Sequence, residues 1–244
     1  MSRLTFCATP AAKDILRVIA IAIENREIAT VVGAQGIGKT AALKAFAANN
    51  DGARYCEIKP TLSRTTRGML TQVCDAVNAA PKDELDRMRG KICDALMDCR
   101  AIVLLIDEAQ YLDRRCLEIL RGIHKRTRVP LVFAGVERHK ITFNTSRAAE
   151  FPKLASRVET KLAIKATTAE DVDALAAHYG IGDAETLGWL KQQCVGTGSL
   201  RTMIRLIVLA MNISDDGELQ LNHLERAAAV LRAINPRRLI QFEC

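Results

Sequence analysis

Apolar residues Ile15, Val18, Ile19, Ala22 and Ile23 recur at helical spacing behind Thr9-Pro10, a capping residue followed by the imino acid that suits a first helical turn. This predicts a helix ahead of the first strand. Residues 28–32 are a short β-branched run ending at Gly33, and residues 40–48 are rich in helix formers, so strand, glycine loop and helix follow in order. A second strand is expected over 54–58. Helices are expected over 66–79 and 83–97, separated by Pro81. Residues 101–106 are continuously apolar, as a strand covered on both faces must be. Asp113 is placed to cap a helix running to about residue 126. Strands are then expected at 130–134 and 158–164.

Beyond residue 166 the strand pattern stops. Thr168 with Asp171 and Asn222 with Glu225 each make a capping-box signature, and Ser199 follows a glycine, which predicts a small helical region. Strands alternating with helices imply a parallel sheet in a three-layer α/β domain. The expected division is an α/β domain over 1–165, an all-helical domain over 166–235, and a basic tail over 236–244 that includes Pro236-Arg237-Arg238.

Composition narrows the class. The 244 residues are 49% hydrophobic and 26% charged, with 14 Gly and 6 Pro, which excludes disordered and collagen-like chains. Cys7, Cys56, Cys74, Cys93, Cys99, Cys116, Cys194 and Cys244 form no Cys-x-x-Cys pair, and the four histidines lack zinc-ligand spacing. Reduced thiols in a soluble, cytoplasmic protein are expected, with no secretory leader and no apolar run long enough to span a bilayer. The net charge of +7 is uneven. Residues 1–165 hold 28 Lys+Arg and 18 Asp+Glu, whereas residues 166–244 hold 7 and 10. A basic first part favours phosphate-rich partners.

The chemistry concentrates in two motifs. Gly33-Ala34-Gln35-Gly36-Ile37-Gly38-Lys39-Thr40 matches G-x-x-x-x-G-K-[ST] and is followed by Ala41. Glycines let the backbone N–H groups face phosphates, the helix N-terminus adds a positive field, Lys39 meets β/γ oxygens, and the Thr40 hydroxyl is a Mg²⁺ ligand. This predicts ATP and Mg²⁺ as cofactors. The apolar run at 102–106 ends in Asp107-Glu108. Asp107 is expected in the metal shell, and Glu108 is expected to orient and deprotonate the attacking water.

A phosphate loop, a strand ending Asp-Glu and a helical region after the sheet resemble the AAA+ ATPases, across about residues 5–233. The compact helical lid and the motif IVLLIDEAQYL at 102–112 look most like the transposition regulators of the Mu B, TnsC, TniB and IstB group. The resemblance implies an ATPase of AAA+ type with a helical lid, in which Arg201 of Gly198-Ser199-Leu200-Arg201 reaches a bound γ-phosphate. It also implies that Arg157, in the segment FPKLASR at 151–157, completes a neighbouring subunit's site, with Arg138 and Arg147 as competitors. The small polar residue of the first sensor is missing after Phe133-Ala134-Gly135, where Val136-Glu137 stands.

Lys59, Arg64 and Arg67 lie in a stretch without acidic residues, and Arg121 and Lys125 recur at helical spacing behind Arg114, interrupted by Glu118. These are the candidate DNA contacts. Aromatic residues are 4% of the chain and are not interleaved with the basic segments, so duplex DNA held through its phosphates, largely without sequence preference, is the expected partner. The resulting expectation is an ATP-dependent regulator of transposition that self-associates into a ring or filament on double-stranded DNA and engages a transposase. A helicase-loader ATPase and a nucleotide-gated partner switch are the alternatives. The adenine pocket stays open, with Phe6 and Thr9 as candidates.

Overall fold

The computed structural model describes residues 6–62, 65–136, 158–196, 199–214 and 219–234. They group into two compact units, one built from residues 12–34 and 39–164, the other from residues up to 11, residues 35–38 and residues from 165 onward.

In the first unit the described elements are α1 (Pro10–Asn25, entering at residue 12), β1 (Ile28–Gly33), α2 (Lys39–Ala48), β2 (Ala53–Glu57), α3 (Thr66–Ala76), α4 (Leu85–Asp98), β3 (Val103–Asp107), α5 (Arg114–Thr127), β4 (Leu131–Gly135) and β5 (Val158–Ile164). The five strands are parallel in the order β2-β3-β4-β1-β5. Every residue of β3 and β4 is buried, which explains their uninterrupted apolar sequence. One face of the sheet packs Ile58, Leu104, Ile106 and Phe133 with residues of α3, α4 and α5. The other packs Ala29, Val31, Leu105 and Val132 with residues of α1 and α2. The sheet is therefore the middle layer of three.

The second unit contains α6 (Ala169–His178), α7 (Ala184–Cys194), α8 (Leu200–Ile213) and α9 (Leu221–Ile234) around Val172, Leu190, Met203, Ile207 and Leu224. Thr168 and Asp171 close the expected capping box. Ser199 caps α8 by accepting from the Thr202 N–H at 3.2 Å. The second expected box fails as a cap, because α9 already begins at Leu221 and Asn222 lies inside it. The Gln220 N–H instead donates to His223 Nδ1 at 3.4 Å.

α3 stops earlier than periodicity suggests. α3 ends at Ala76 because Asn78 adopts φ 57°, and the Ala79 N–H turns back to Cys74 O at 2.8 Å. α4 ends the same way through Arg100 at φ 49° and Ala101 N–H to Leu96 O at 3.0 Å. That closing turn uses the first residues of the apolar run, so β3 starts at Val103. These are left-handed C-caps made without glycine.

Candidate functional site

β1 runs into the phosphate loop and α2 runs out of it. Gly36 has φ 82° and Gly38 φ 101°, values that a residue with a Cβ adopts only under strain, so the loop's curl depends on both glycines. Ile37 anchors the loop, at 1% exposure. Ala34 and Gln35 are exposed, and Thr40 is half-buried in the first turn of α2. The Lys39 ammonium donates to Gly33 O at 2.9 Å and Ala34 O at 2.8 Å, which folds the side chain over the loop. Within the second unit, the Arg201 N–H donates to Gly36 O at 3.1 Å, and a Cβ on Gly36 would lie 2.7 Å from Ser199 Cβ. Arg201 itself is exposed.

Strand register sets the acidic pair at the same, carboxyl-terminal edge of the sheet as the loop. Ile106 pairs with Phe133 of β4, and Phe133 pairs with Thr30 of β1, so Asp107 and Gly33 both lie beyond that row. Ligands of open parallel sheets bind at this edge. Asp107 is 1% exposed and hydrogen-bonded at both oxygens: Oδ1 accepts from the Glu108 N–H at 2.8 Å and Oδ2 from the Tyr55 hydroxyl at 3.0 Å. Tyr55 stands on the neighbouring strand β2. Its phenol is held protonated well above its ordinary range, first by burial and then by the Asp107 and Glu57 carboxylates. Lys44 of α2 pairs with Glu57 at 3.3 Å and lies 5.3 Å from the centre of the Tyr55 ring.

Glu108 leaves the strand in a left-handed conformation, φ 55° and ψ 33°, which turns its half-buried side chain away from the line of β3. The Gln110 side-chain amide donates to Glu108 Oε2, and its carbonyl oxygen accepts from the Val136 N–H at 3.2 Å.

Oxygen donors of the hard type Mg²⁺ requires are present in Thr40 and Asp107. Each Asp107 oxygen accepts a hydrogen bond and keeps a second lone pair, so the donor set fits such an ion.

The expected DNA contacts are less uniform. Lys59 and Lys125 are exposed. Arg67 is exposed but its guanidinium donates to Asp83 O at 2.9 Å. Arg121 is paired with Glu118 at 2.6 Å on its own helix, which offsets the charge a phosphate would read. Arg64 lies outside the described residues, as do Arg157, its competitors Arg138 and Arg147, Gly198 and the tail. Of the adenine candidates, Thr9 is buried at 3% and Phe6 is 38% exposed. Tyr55 and Gln110 were not marked by the sequence motifs. Gln110 sits inside the quoted stretch IVLLIDEAQYL, so proximity to Glu108 was its only signal.

Residues 22–140 match the model of a family described as an AAA domain, and residues 156–231 match one described as the C-terminal region of the Mu B transposition protein. Each stretch is thus similar to one of these two families. The stretch similar to an AAA domain holds the phosphate loop, the acidic pair, and Tyr55 and Gln110. The stretch similar to the Mu B C-terminal region includes β5, α6 to α8, Arg201 and most of α9.

Two curated relatives are similar along most of the chain. The ATP-dependent target DNA activator B of Escherichia phage Mu is 29% identical over 212 residues, which are 84% of this chain and 66% of that protein. The Mu-like prophage FluMu DNA transposition protein B of Haemophilus influenzae is 26% identical over 198 residues, 79% of this chain and 68% of that protein. The chain thus spans about two thirds of the length of these relatives. Among solved structures, Aeropyrum pernix ORC2 superposes with a TM-score of 0.67 at 16% identity, covering 89% of this chain and 66% of that one. Cdc6p from Pyrobaculum aerophilum gives 0.67 at 13% identity, covering 94% and 69%. These likenesses establish the AAA+ fold.

Proposed function

We propose that the chain is a soluble, cytoplasmic ATPase that binds double-stranded DNA in its ATP-bound form, self-associates on it as a ring or filament, and regulates transposition by presenting that DNA to a transposase. The observation that carries this reading is a phosphate loop and an Asp-Glu pair on one sheet edge, in an AAA domain joined to a Mu B-type domain. The phage Mu relative's description as an ATP-dependent target DNA activator supports the DNA role, and the Haemophilus influenzae relative's description as a DNA transposition protein supports the transposition role. We divide the chain into an AAA domain at 1–165, a helical lid at 166–235 and a tail at 236–244.

In this reading ATP lies along the loop, with its phosphates against the backbone N–H groups of residues 34–41, including Ala41, and the positive end of α2. Lys39 leaves its carbonyl partners to neutralise β/γ oxygens. Thr40 and Asp107 would hold a Mg²⁺ ion, which would supply neutralisation of phosphate charge. Glu108 accepts a proton from the attacking water, and Tyr55 keeps Asp107 oriented. Arg201 contacts the γ-phosphate, and Arg157 completes a neighbour's site, so hydrolysis is coupled to assembly. Lys59, Arg64, Arg67 and Lys125 follow the DNA backbone, with Arg121 a weaker contributor because of Glu118.

Electron microscopy of the protein with duplex DNA and a slowly hydrolysed ATP analogue, beside ADP and nucleotide-free samples, tests the proposal. Rings or filaments on DNA that require the ATP analogue are expected. Bare DNA and unassembled particles in all three samples would refute the DNA role and favour a nucleotide-gated partner switch. A preference for single-stranded DNA would favour a helicase loader.

A further inference from the structure

Glu108 has three side-chain torsions and sits at an exit from the sheet where the backbone has already turned left-handed, so strand pairing alone does not aim its carboxylate. Something else must. The Gln110 amide donates to Glu108 Oε2 while its carbonyl oxygen accepts from the Val136 N–H at 3.2 Å, just past the end of β4. The orientation of that amide is fixed by chemistry. A carboxylate only accepts and a backbone N–H only donates, so the NH₂ must face Glu108 and the oxygen must face Val136.

Gly135 supplies an independent observation. It is a β4 residue outside the group with positive φ, so backbone freedom does not account for it. Space does: a Cβ there would fall 2.5 Å from Gln110 Oε1 and 3.3 Å from Gln110 N. The glycine makes room for the glutamine. Val136 contributes a backbone donor to this site, and the polar side chain that links β4 to the acidic pair comes from Gln110.

We infer that Gln110 is a positioning residue for hydrolysis: it ties Glu108 Oε2 to the end of β4 and thereby assigns Oε1 to the attacking water. Gly135 serves this role by vacating the space that Gln110 fills. The inference rests on the ATPase reading above, with Glu108 as the base.

The test measures steady-state ATP hydrolysis and, separately, the affinity for a fluorescent ATP analogue, for the unaltered chain, Gln110→Met, Gly135→Ala and the double variant. Gln110→Met keeps the length of the side chain and removes both hydrogen bonds. The expected result is a fall in kcat of about ten-fold, with KM and analogue affinity within about two-fold, because the loss lies in aiming the base rather than in binding. Gly135→Ala is expected to lower kcat in the same way. The double variant should be no worse than Gln110→Met alone, since both substitutions remove one interaction. In a Glu108→Gln background, Gln110→Met should have no further effect.

Unchanged kcat in Gln110→Met would overturn the inference while leaving the ATPase reading intact. So would losses in the two single variants that multiply in the double. If Gln110→Met does not fold, an unchanged kcat in a folded Gly135→Ala variant overturns it equally. Analogue binding without hydrolysis by the unaltered chain would remove the ATPase reading and this inference with it.

Discussion

Tyr55 shows how a site residue escapes a motif. The phosphate loop and Asp107-Glu108 were legible because consecutive residues carry their chemistry, and the structure brings them to one sheet edge. Tyr55 reaches Asp107 across strands, 52 positions away, through the pairing of β2 with β3, and no local pattern encodes that. Removing its hydroxyl takes one of the two donors from a buried carboxylate, at a cost of about 1 to 3 kcal/mol to whatever depends on that carboxylate. Tyr55→Phe is therefore expected to raise the Mg²⁺ concentration needed for half-maximal hydrolysis several-fold. A Mg²⁺ titration of the rate checks this. Lys39→Ala should remove analogue binding, whereas Glu108→Gln should retain binding and lower kcat by at least about 100-fold, measured in the same two assays.

Helices and strands were recognisable from period and capping residues, down to Asp113, whose carboxylate accepts from the Cys116 N–H at 2.7 Å. The end of α3 was not, because its stop signal is Asn78 in left-handed backbone where glycine is the usual occupant, as Arg26 and Arg100 are after α1 and α4. Arg26 closes α1 at φ 52°, with the Glu27 N–H donating to Ala22 O at 3.1 Å. Its side chain is exposed, so Arg26→Gly relieves the strain of a Cβ there without removing packing. The variant should gain roughly 0.5 to 1 kcal/mol after the entropy lost by glycine is counted. In the second unit, Thr168→Ala opens the capping box of α6 and should cost about 1 kcal/mol. Urea melts of both variants, compared at equal slope, test the two signs.

Across the whole molecule, charge is the property least determined by sequence count. Arg121 contributed to the basic surplus of the first 165 residues, yet Glu118 lies against it at 2.6 Å. In the proposed DNA complex, exposed Lys59 and Lys125 are better placed to release counterions. Replacing both with alanine should weaken duplex binding in the presence of the ATP analogue and flatten the plot of log affinity against log salt by about two slope units. Replacing Arg121 should change the slope by less than either lysine. Fluorescence anisotropy across a salt series distinguishes them. The left-handed turn at Glu108 also bears on how this protein evolves. A glutamate held there costs the fold about 1 kcal/mol that glycine would largely avoid. Selection for heat resistance alone would therefore favour lineages that discard this carboxylate, and in the proposed ATPase only continued demand for turnover keeps the less comfortable residue in place.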